Sequence, residues 1–218
     1  MDSYTTGLFW TRLVNWHVDH ERVFPWRSTT DPYHIFVAEF LLQQTNAELV
    51  LPAYCKFLSF FPDVDALADG ALETVQSIIR PLGLTYRAER LKNCAQAIMA
   101  VNGGRIPDAK DKLLALPGVG PYIADAVLCY AFHQPAVPID TNVIRVMSRF
   151  FGIRSQRTRP RTDRILAQNI AAVYPRPTSR RENLAVLDFA ALICTARAPR
   201  CESCPVASMC HFLRVVKL

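Results

Sequence analysis

Apolar residues recur along this chain at spacings of three and four, the pattern of helices that bury one face. In the first such segment, Phe9, Leu13 and Trp16 fall on one side of a helix. Ten segments carry the pattern, at about residues 6–19, 32–42, 48–60, 71–80, 86–102, 109–115, 121–132, 141–151, 162–173 and 183–194. No alternation typical of a β-strand lasts more than a few positions. The sequence therefore predicts an all-α protein of about ten helices with short connections.

The composition allows a large buried core and favours a polyanionic partner. Half of the 218 residues are hydrophobic, which suffices for one large or two small domains. No apolar run approaches the ~20 residues that span a bilayer, so we expect a soluble protein. The net charge is +6, and 20 of the 25 basic residues are Arg, whose planar guanidinium suits phosphate. An ordinary solvated surface is the alternative, also for the arginine-rich segments 154–164 and 176–181.

Four cysteines near the C-terminus have a spacing suited to a soft metal centre. Cys194, Cys201, Cys204 and Cys210 follow the pattern C-x6-C-x2-C-x5-C. Four thiolates in so short a segment can enclose an iron–sulfur cluster or a zinc ion, although structural zinc usually takes two close cysteine pairs. Disulfides are not expected, because they require export from the cell. The N-terminus lacks the basic region and continuous apolar run of an export signal. We interpret the other three cysteines as buried thiols in helices, namely Cys55, Cys94 and Cys129.

A glycine-containing turn joins two of the predicted helices. It has the sequence LPGVG, and Pro121 is well placed as the first residue of the second helix. Two glycines allow a tight turn with accessible amide groups, and amides at a helix N-terminus bind an anion. An ordinary interhelical turn is the alternative to a site for a DNA phosphate. The residues that would hold this phosphate are Leu116, Gly118, Val119 and Gly120.

Two carboxylates stand out by their surroundings. Asp140 precedes a predicted helix, so it is either a simple N-cap or a carboxylate that the helix dipole keeps ionised to face a positive charge. Glu39 shares a helical stripe with Ile35 and Leu42, which indicates that it points towards an apolar surface. An exposed helical glutamate is the alternative. Burial would raise the pKa of Glu39 and make it a proton donor near neutrality. An ionised Asp beside a protonatable Glu is the pairing that cleaves a glycosidic bond.

Together, these motifs resemble those of the helix–hairpin–helix (HhH-GPD, endonuclease III-like) DNA glycosylase superfamily, in particular its MutY and mismatch thymine glycosylase branch. AEFLLQQT, LPGVGPY, VPIDTNVIRV and the four-cysteine segment occur in the family's order and approximate spacing. The resemblance implies a two-lobed helical fold and a [4Fe-4S] cluster on the four cysteines. Residues 31–138 would form a six-helix barrel domain with the helix–hairpin–helix at about 109–132. Residues 1–30 and 139–218 would form the cluster domain.

The resemblance also implies roles for individual side chains. Asp140 would stabilise the sugar cation, and Glu39 would transfer protons at the departing base or the water. Tyr122 occupies the position where bifunctional relatives have a Schiff-base lysine, so the chain would be a monofunctional glycosylase. Gln43 and Gln44 would fill the gap that a flipped base leaves in the duplex.

The base that is removed has two main candidates under this resemblance. The Gln-Gln-Thr stretch and Tyr122 are similar to MutY, which removes adenine opposite guanine or 8-oxoguanine. Three departures favour thymine or uracil opposite guanine instead. The sequence ends just past the fourth cysteine, Leu84 lies where MutY has a wedge tyrosine, and Asp125 replaces a small or amide residue at the base pocket.

The expected partner is double-stranded DNA with a mismatch or damaged base, and not a membrane. We expect a monomer in the cytoplasm, associated with the nucleoid in a prokaryote. Two further hypotheses are a non-catalytic, cluster-bearing DNA-binding module and a zinc-stabilised helical protein. The presence of both Glu39 and Asp140 argues against a pure binder, which needs neither.

Overall fold

The computed structural model describes residues 3–83 and 85–216, and every regular element in these two ranges is a helix. This confirms the all-α prediction. None of the described helices is long and apolar enough to cross a membrane. Short 3-10 turns accompany the following α-helices: α1 (Ser3–Val18), α2 (Pro32–Leu42), α3 (Ala47–Phe60), α4 (Val64–Asp69), α5 (Leu72–Ile79), α6 (Tyr86–Asn102), α7 (Lys110–Leu114), α8 (Pro121–Tyr130), α9 (Thr141–Phe151), α10 (Arg164–Ala172), α11 (Arg180–Leu192) and α12 (His211–Val216).

Side chains and turn residues fix where several of these helices begin. Asp31 caps α2 by accepting hydrogen bonds from the amides of Tyr33 and His34. Ser179 and Glu182 form a capping box that starts α11 at Arg180. Each of the ten predicted segments overlaps one observed α-helix, and α4 and α12 are the additional ones within the described ranges. Both have only six residues, less than two helical turns.

The chain divides into two compact units, residues 1–22 with 137–218, and residues 23–136. In the first unit, aromatic rings from α1 and α9 form the centre of the core. The Phe9 ring lies 4.4 Å from the Phe150 ring, and the Trp10 indole donates a hydrogen bond to the Val173 carbonyl at 2.6 Å. A buried carboxylate, Asp188, also ties this unit together, because it accepts from the Arg22 guanidinium at 2.7 Å.

The second unit is built around α2, whose residues from Ile35 to Leu41 are all buried. Helices α3, α6 and α8 pack against it. Cys94 and Cys129 are buried in α6 and α8, as predicted. The same prediction is wrong for Cys55, which is exposed because it lies on the outer face of α3, beside the buried Tyr54.

Candidate active site

Helices α7 and α8 and the turn between them form a hairpin in the second unit. The turn requires glycine at position 118, where φ is +79°. A Cβ at this position would lie 3.3 Å from the Cβ of Arg90 and 3.5 Å from the Phe40 ring, so the turn packs closely on α6 and α2. Helix α8 begins at Pro121, as predicted, with Gly120 as its N-cap.

The chemistry of this turn lies in its backbone rather than in its side chains. Leu116 and Val119 are each only 7% exposed, so their side chains belong to the core. The Val119 amide donates to the Leu116 carbonyl at 3.2 Å and thereby closes the turn. Gly120 precedes the first turn of a ten-residue helix, whose amides carry partial positive charge. The arrangement can bind an anion without using a side chain.

Tyr122 and Asp125 lie on α8, one turn apart, directly after the hairpin turn. Tyr122 is half-buried. The Lys110 ammonium at the start of α7 lies 2.6 Å from a carboxylate oxygen of Asp125. Burial raises the pKa of Asp125 above its ordinary value, although Lys110 acts in the opposite direction. Asp125 therefore links the two helices of the hairpin, and the role in the base pocket stays a prediction.

Glu39 is a buried carboxylate on α2, with only 4% of its surface exposed. The neighbouring rings of Phe36 and Phe40 are 4.9 Å apart. This burial confirms that Glu39 belongs to the inward-facing surface of α2. The proton-transfer role of Glu39 stays a prediction.

Gln43 and Gln44 form the turn at the end of α2, where Gln43 is the C-cap. Gln44 is exposed and has φ of +56°, a left-handed conformation that is uncommon for a residue with a side chain. A second turn, after α5, ends at Gly83 with φ of +69°. Leu84, the predicted wedge residue, follows this turn but lies outside the described residues.

Arg87, in the first turn of α6, connects these two turns. It is a functional candidate that the sequence analysis missed. Its side chain is completely buried. Its Nη1 donates to the carbonyl oxygens of Leu41 (2.6 Å) and Gln43 (3.0 Å), and its Nη2 donates to Thr45 Oγ1 (3.0 Å) and to the carbonyl oxygens of Leu82 (3.0 Å) and Gly83 (3.2 Å).

Asp140 belongs to the other unit and caps α9. Its Oδ1 accepts hydrogen bonds from the amides of Asn142 and Val143, both at 2.8 Å. Its Oδ2 accepts from the Asn142 side-chain amide at 2.6 Å. Burial raises the pKa of Asp140 above its ordinary value, and these hydrogen bonds oppose the rise. Because Glu39 and Asp140 lie in different units, their pairing stays a prediction.

Two arginines of α9 connect this helix to the cysteine segment. The Arg145 guanidinium donates to the Cys194 carbonyl at 2.9 Å and to the Ala190 carbonyl at 3.0 Å. Arg149 donates to the Thr195 carbonyl at 2.6 Å and approaches the Cys194 sulfur at 3.5 Å. The helix that carries Asp140 at its N-terminus is therefore fixed further along to the first metal-ligand candidate.

All four C-terminal cysteines line one cavity in the first unit, together with apolar side chains such as Val206. Four thiols around one cavity are a ligand set that can hold an iron–sulfur cluster. In the described ranges, no group of three or more His, Cys, Asp or Glu side chains is arranged to hold a single metal ion.

A basic cavity lies beside the start of α9. Arg145, Arg159 and Arg161 line it together with Thr141, which follows Asp140 directly. The loop that supplies Arg159 and Arg161 is held in place by Asp163, which accepts hydrogen bonds from Ser155 Oγ at 2.7 Å and from the Ile165 amide at 3.0 Å. Three guanidinium groups around one opening suit phosphate oxygens.

Comparison with known proteins identifies the family. Residues 37–172 match the HhH-GPD superfamily of base excision DNA repair proteins, and residues 194–210 match the iron-sulfur binding domain of endonuclease III. This chain belongs to the HhH-GPD superfamily and carries its iron–sulfur motif on the four cysteines. The resemblance that the sequence motifs indicated is thereby confirmed.

The chain is similar to several individual DNA glycosylases over most of its length. The chain is 42% identical to a thymine-DNA glycosylase of Aeropyrum pernix over 92% of both chains. It is 40% identical to a thymine/uracil-DNA glycosylase of Pyrobaculum aerophilum, over 92% of this chain and 89% of the relative. The structure of a thermostable thymine-DNA glycosylase matches with a TM-score of 0.89 and 33% identity, covering 97% of this chain and 98% of that one. An adenine DNA glycosylase of Mycobacterium tuberculosis is 36% identical over 90% of this chain but only 65% of its own length.

Proposed function

We propose that this protein is a monofunctional DNA N-glycosylase that removes thymine or uracil opposite guanine. The observation that carries the proposal is the placement of Tyr122 on α8, directly after a turn whose amides can bind an anion. A phenol cannot form the imine that leads to strand cleavage, so base removal would end at an abasic site. The similarity to relatives named thymine-DNA and thymine/uracil-DNA glycosylases supports the choice of base.

Asp140 and Glu39 would divide the chemistry between them. The bond from the sugar C1′ to the base nitrogen breaks, and its electron pair leaves with the base. The Asp140 carboxylate, held by three hydrogen bonds, stabilises the positive charge that develops on the sugar. Glu39 supplies a proton to the departing base or accepts one from the water that adds to C1′.

The protein would hold double-stranded DNA through contacts to the phosphates, and such contacts do not depend on the base sequence. The hairpin turn offers amides at the start of α8, and the basic cavity offers Arg145, Arg159 and Arg161. Gln43, Gln44 and Leu84 would enter the space that the extruded base vacates. We propose that the protein acts on a mismatch in this way as a monomer.

The four cysteines would hold a [4Fe-4S] cluster. When bound, the cluster would cross-link the C-terminal segment and can accept or donate an electron. We expect the purified protein to absorb broadly at about 400 nm. Acid treatment should abolish this absorbance and release iron in a fixed ratio to the protein. Both results would support the proposal. Zinc without iron would contradict it.

Adenine removal is the second candidate, because the Gln43-Gln44-Thr45 sequence is shared with MutY and adenine glycosylases are among the relatives. One experiment separates the two. Duplexes with G·T, G·U, A·G and A·8-oxoguanine pairs are incubated side by side and then treated with alkali. We expect alkali-dependent cleavage at T and U opposite G. Cleavage confined to the adenine substrates would favour the alternative, and a break without alkali would contradict a monofunctional enzyme.

A further inference from the structure

Arg87 is a buried cation whose surroundings suit a positioning role. Within the described ranges, it donates hydrogen bonds to four carbonyl oxygens and one hydroxyl, and none of these acceptors is a carboxylate. Burying a charge is costly unless it is fully hydrogen-bonded. An apolar side chain would fill the same place on α6 at lower cost, as Leu91 and Ile98 do on the same face. The guanidinium is therefore suited to hold its partners rather than to fill the core.

Those partners flank the two positions of positive φ in these turns. Gln44, with φ of +56°, lies between Gln43 and Thr45, and both of these accept a hydrogen bond from Arg87. Gly83, with φ of +69°, accepts one itself. A non-glycine residue in the left-handed region costs on the order of 1 kcal/mol and persists only where its surroundings enforce it. The planar fork of Arg87 supplies this enforcement for both turns at once.

We propose that Arg87 is a positioning residue that locks the Gln43–Thr45 turn to the Leu82–Gly83 turn, so that Gln43 and Gln44 are in place before a base leaves the duplex. The inference rests on the proposed function, since it deepens how that function is carried out. It assigns Arg87 no contact with DNA.

The physical reason is the cost of opening the duplex. Extruding a base costs a few kcal/mol of stacking and pairing. Residues that fill the gap can offset this cost only if their own ordering does not add to it. Two turns joined by one rigid guanidinium need no further ordering, whereas two independent turns do. Loss of the link should therefore impair base extrusion more than it impairs DNA binding.

Arg87→Lys tests this idea, because an ammonium retains the charge but cannot reach both turns with a fixed fork. Lys92→Met is the matched control on the same helix, since the Lys92 ammonium also caps buried carbonyls, those of Ala68 and Gly70, at a different place. Thr45→Val is a milder variant that keeps Arg87. It removes one of the five bonds, and also the bond that Thr45 Oγ1 donates to the Gln43 carbonyl.

The first readout is the fluorescence of 2-aminopurine placed next to a G·U pair in a saturated protein–duplex complex. Wild-type protein and K92M should raise the fluorescence equally by unstacking the probe. R87K should bind the duplex within about threefold of wild type and give less than half of the rise, with T45V in between. A rise by R87K equal to that of wild type, or no rise with wild type, would overturn the inference.

The second readout is single-turnover release of uracil from the same duplex. R87K should be at least about tenfold slower than wild type, while K92M should change the rate only in proportion to any loss of folded protein. Equal losses in R87K and K92M would make Arg87 merely structural. If wild type releases no base from any substrate, the proposed function fails, and the fluorescence comparison still decides the role of Arg87.

Discussion

Asp140 has two roles: it caps α9, and it is the proposed catalytic carboxylate. Its Oδ1 accepts two backbone amides, which is the ordinary task of an N-cap, while Oδ2 faces the Asn142 side chain. The sequence alone could indicate both roles but could not separate them, since any N-cap aspartate precedes a helix. A substitution that keeps the cap and removes the charge can separate them.

Asp140→Asn should abolish base release and leave the fold intact. The Asn oxygen can still accept from both amides, but the charge that stabilises the sugar cation is gone, so we expect the single-turnover rate to fall by at least about 100-fold. Base release and thermal unfolding are the measurements, with Asp31→Asn as the control, because Asp31 caps α2 through the same two-amide pattern. Turnover of D140N equal to that of wild type would remove Asp140 from the mechanism.

The pH dependence of base release should report the pKa of Asp140. Burial raises this pKa, so the carboxylate becomes protonated, and the rate falls, at a higher pH than for an ordinary Asp. Asn142→Ala removes a hydrogen bond that lowers the pKa, so the acid limb of the rate profile should move to still higher pH. Single-turnover rates from about pH 4 to about pH 8 measure this shift. Asn169→Ala, at an exposed site on α10, should leave the limb in place.

At the level of elements, the helical period located ten of the twelve described α-helices, but local chemistry set their ends. The start of α11 at Arg180 was missed, although Ser179 and Glu182 spell a capping box in the sequence. Arg87 was also missed. It lies on the same face of α6 as the buried Leu91, Cys94 and Ile98, and a charge on an apolar stripe is a signal that the sequence already contained.

The hairpin turn makes a prediction at this scale. Gly118→Ala should lower the thermal stability and weaken duplex binding, because a side chain at φ +79° is strained and its Cβ would crowd Arg90. We expect a loss of about 1–3 kcal/mol in the free energy of unfolding. Gly120→Ala is the control, since no atom lies within 4 Å of its added Cβ. It should cost less than about 1 kcal/mol, and an equal effect of both variants would show that the turn is not specifically constrained.

For the whole molecule, the net charge of +6 indicated a polyanionic partner but not where it binds. The sequence could not place Arg159 and Arg161 beside Arg145, because a loop folds them back towards the start of α9. Glu39 and Asp140 lie about a hundred positions apart in different units, so their pairing stays a prediction. The approach of Arg161 to Arg145 depends on tertiary packing, which periodicity does not encode.

The basic cavity should appear in the salt dependence of DNA binding. Each phosphate contact contributes about −0.9 to the slope of log affinity against log salt. Replacing Arg159 and Arg161 together by Gln should reduce the slope by up to about two and weaken binding equally for matched and mismatched duplexes. Arg154→Gln with Arg157→Gln is the control of equal charge, since neither residue lines the cavity. Identical slopes for both double variants would exclude a local phosphate site.

The bonds from Arg145 and Arg149 to the segment after α11 also have a genetic consequence. A nonsense mutation just ahead of Cys194 would spare the hairpin, Glu39 and Asp140, and the transcript would still encode every proposed catalytic group. The shortened product would nevertheless leave Arg149 on α9 without the carbonyls that hold it, and Arg145 with the Ala190 carbonyl alone. We expect such an allele to behave as a complete loss of function, with proteolytic clearance rather than faulty chemistry as its cause.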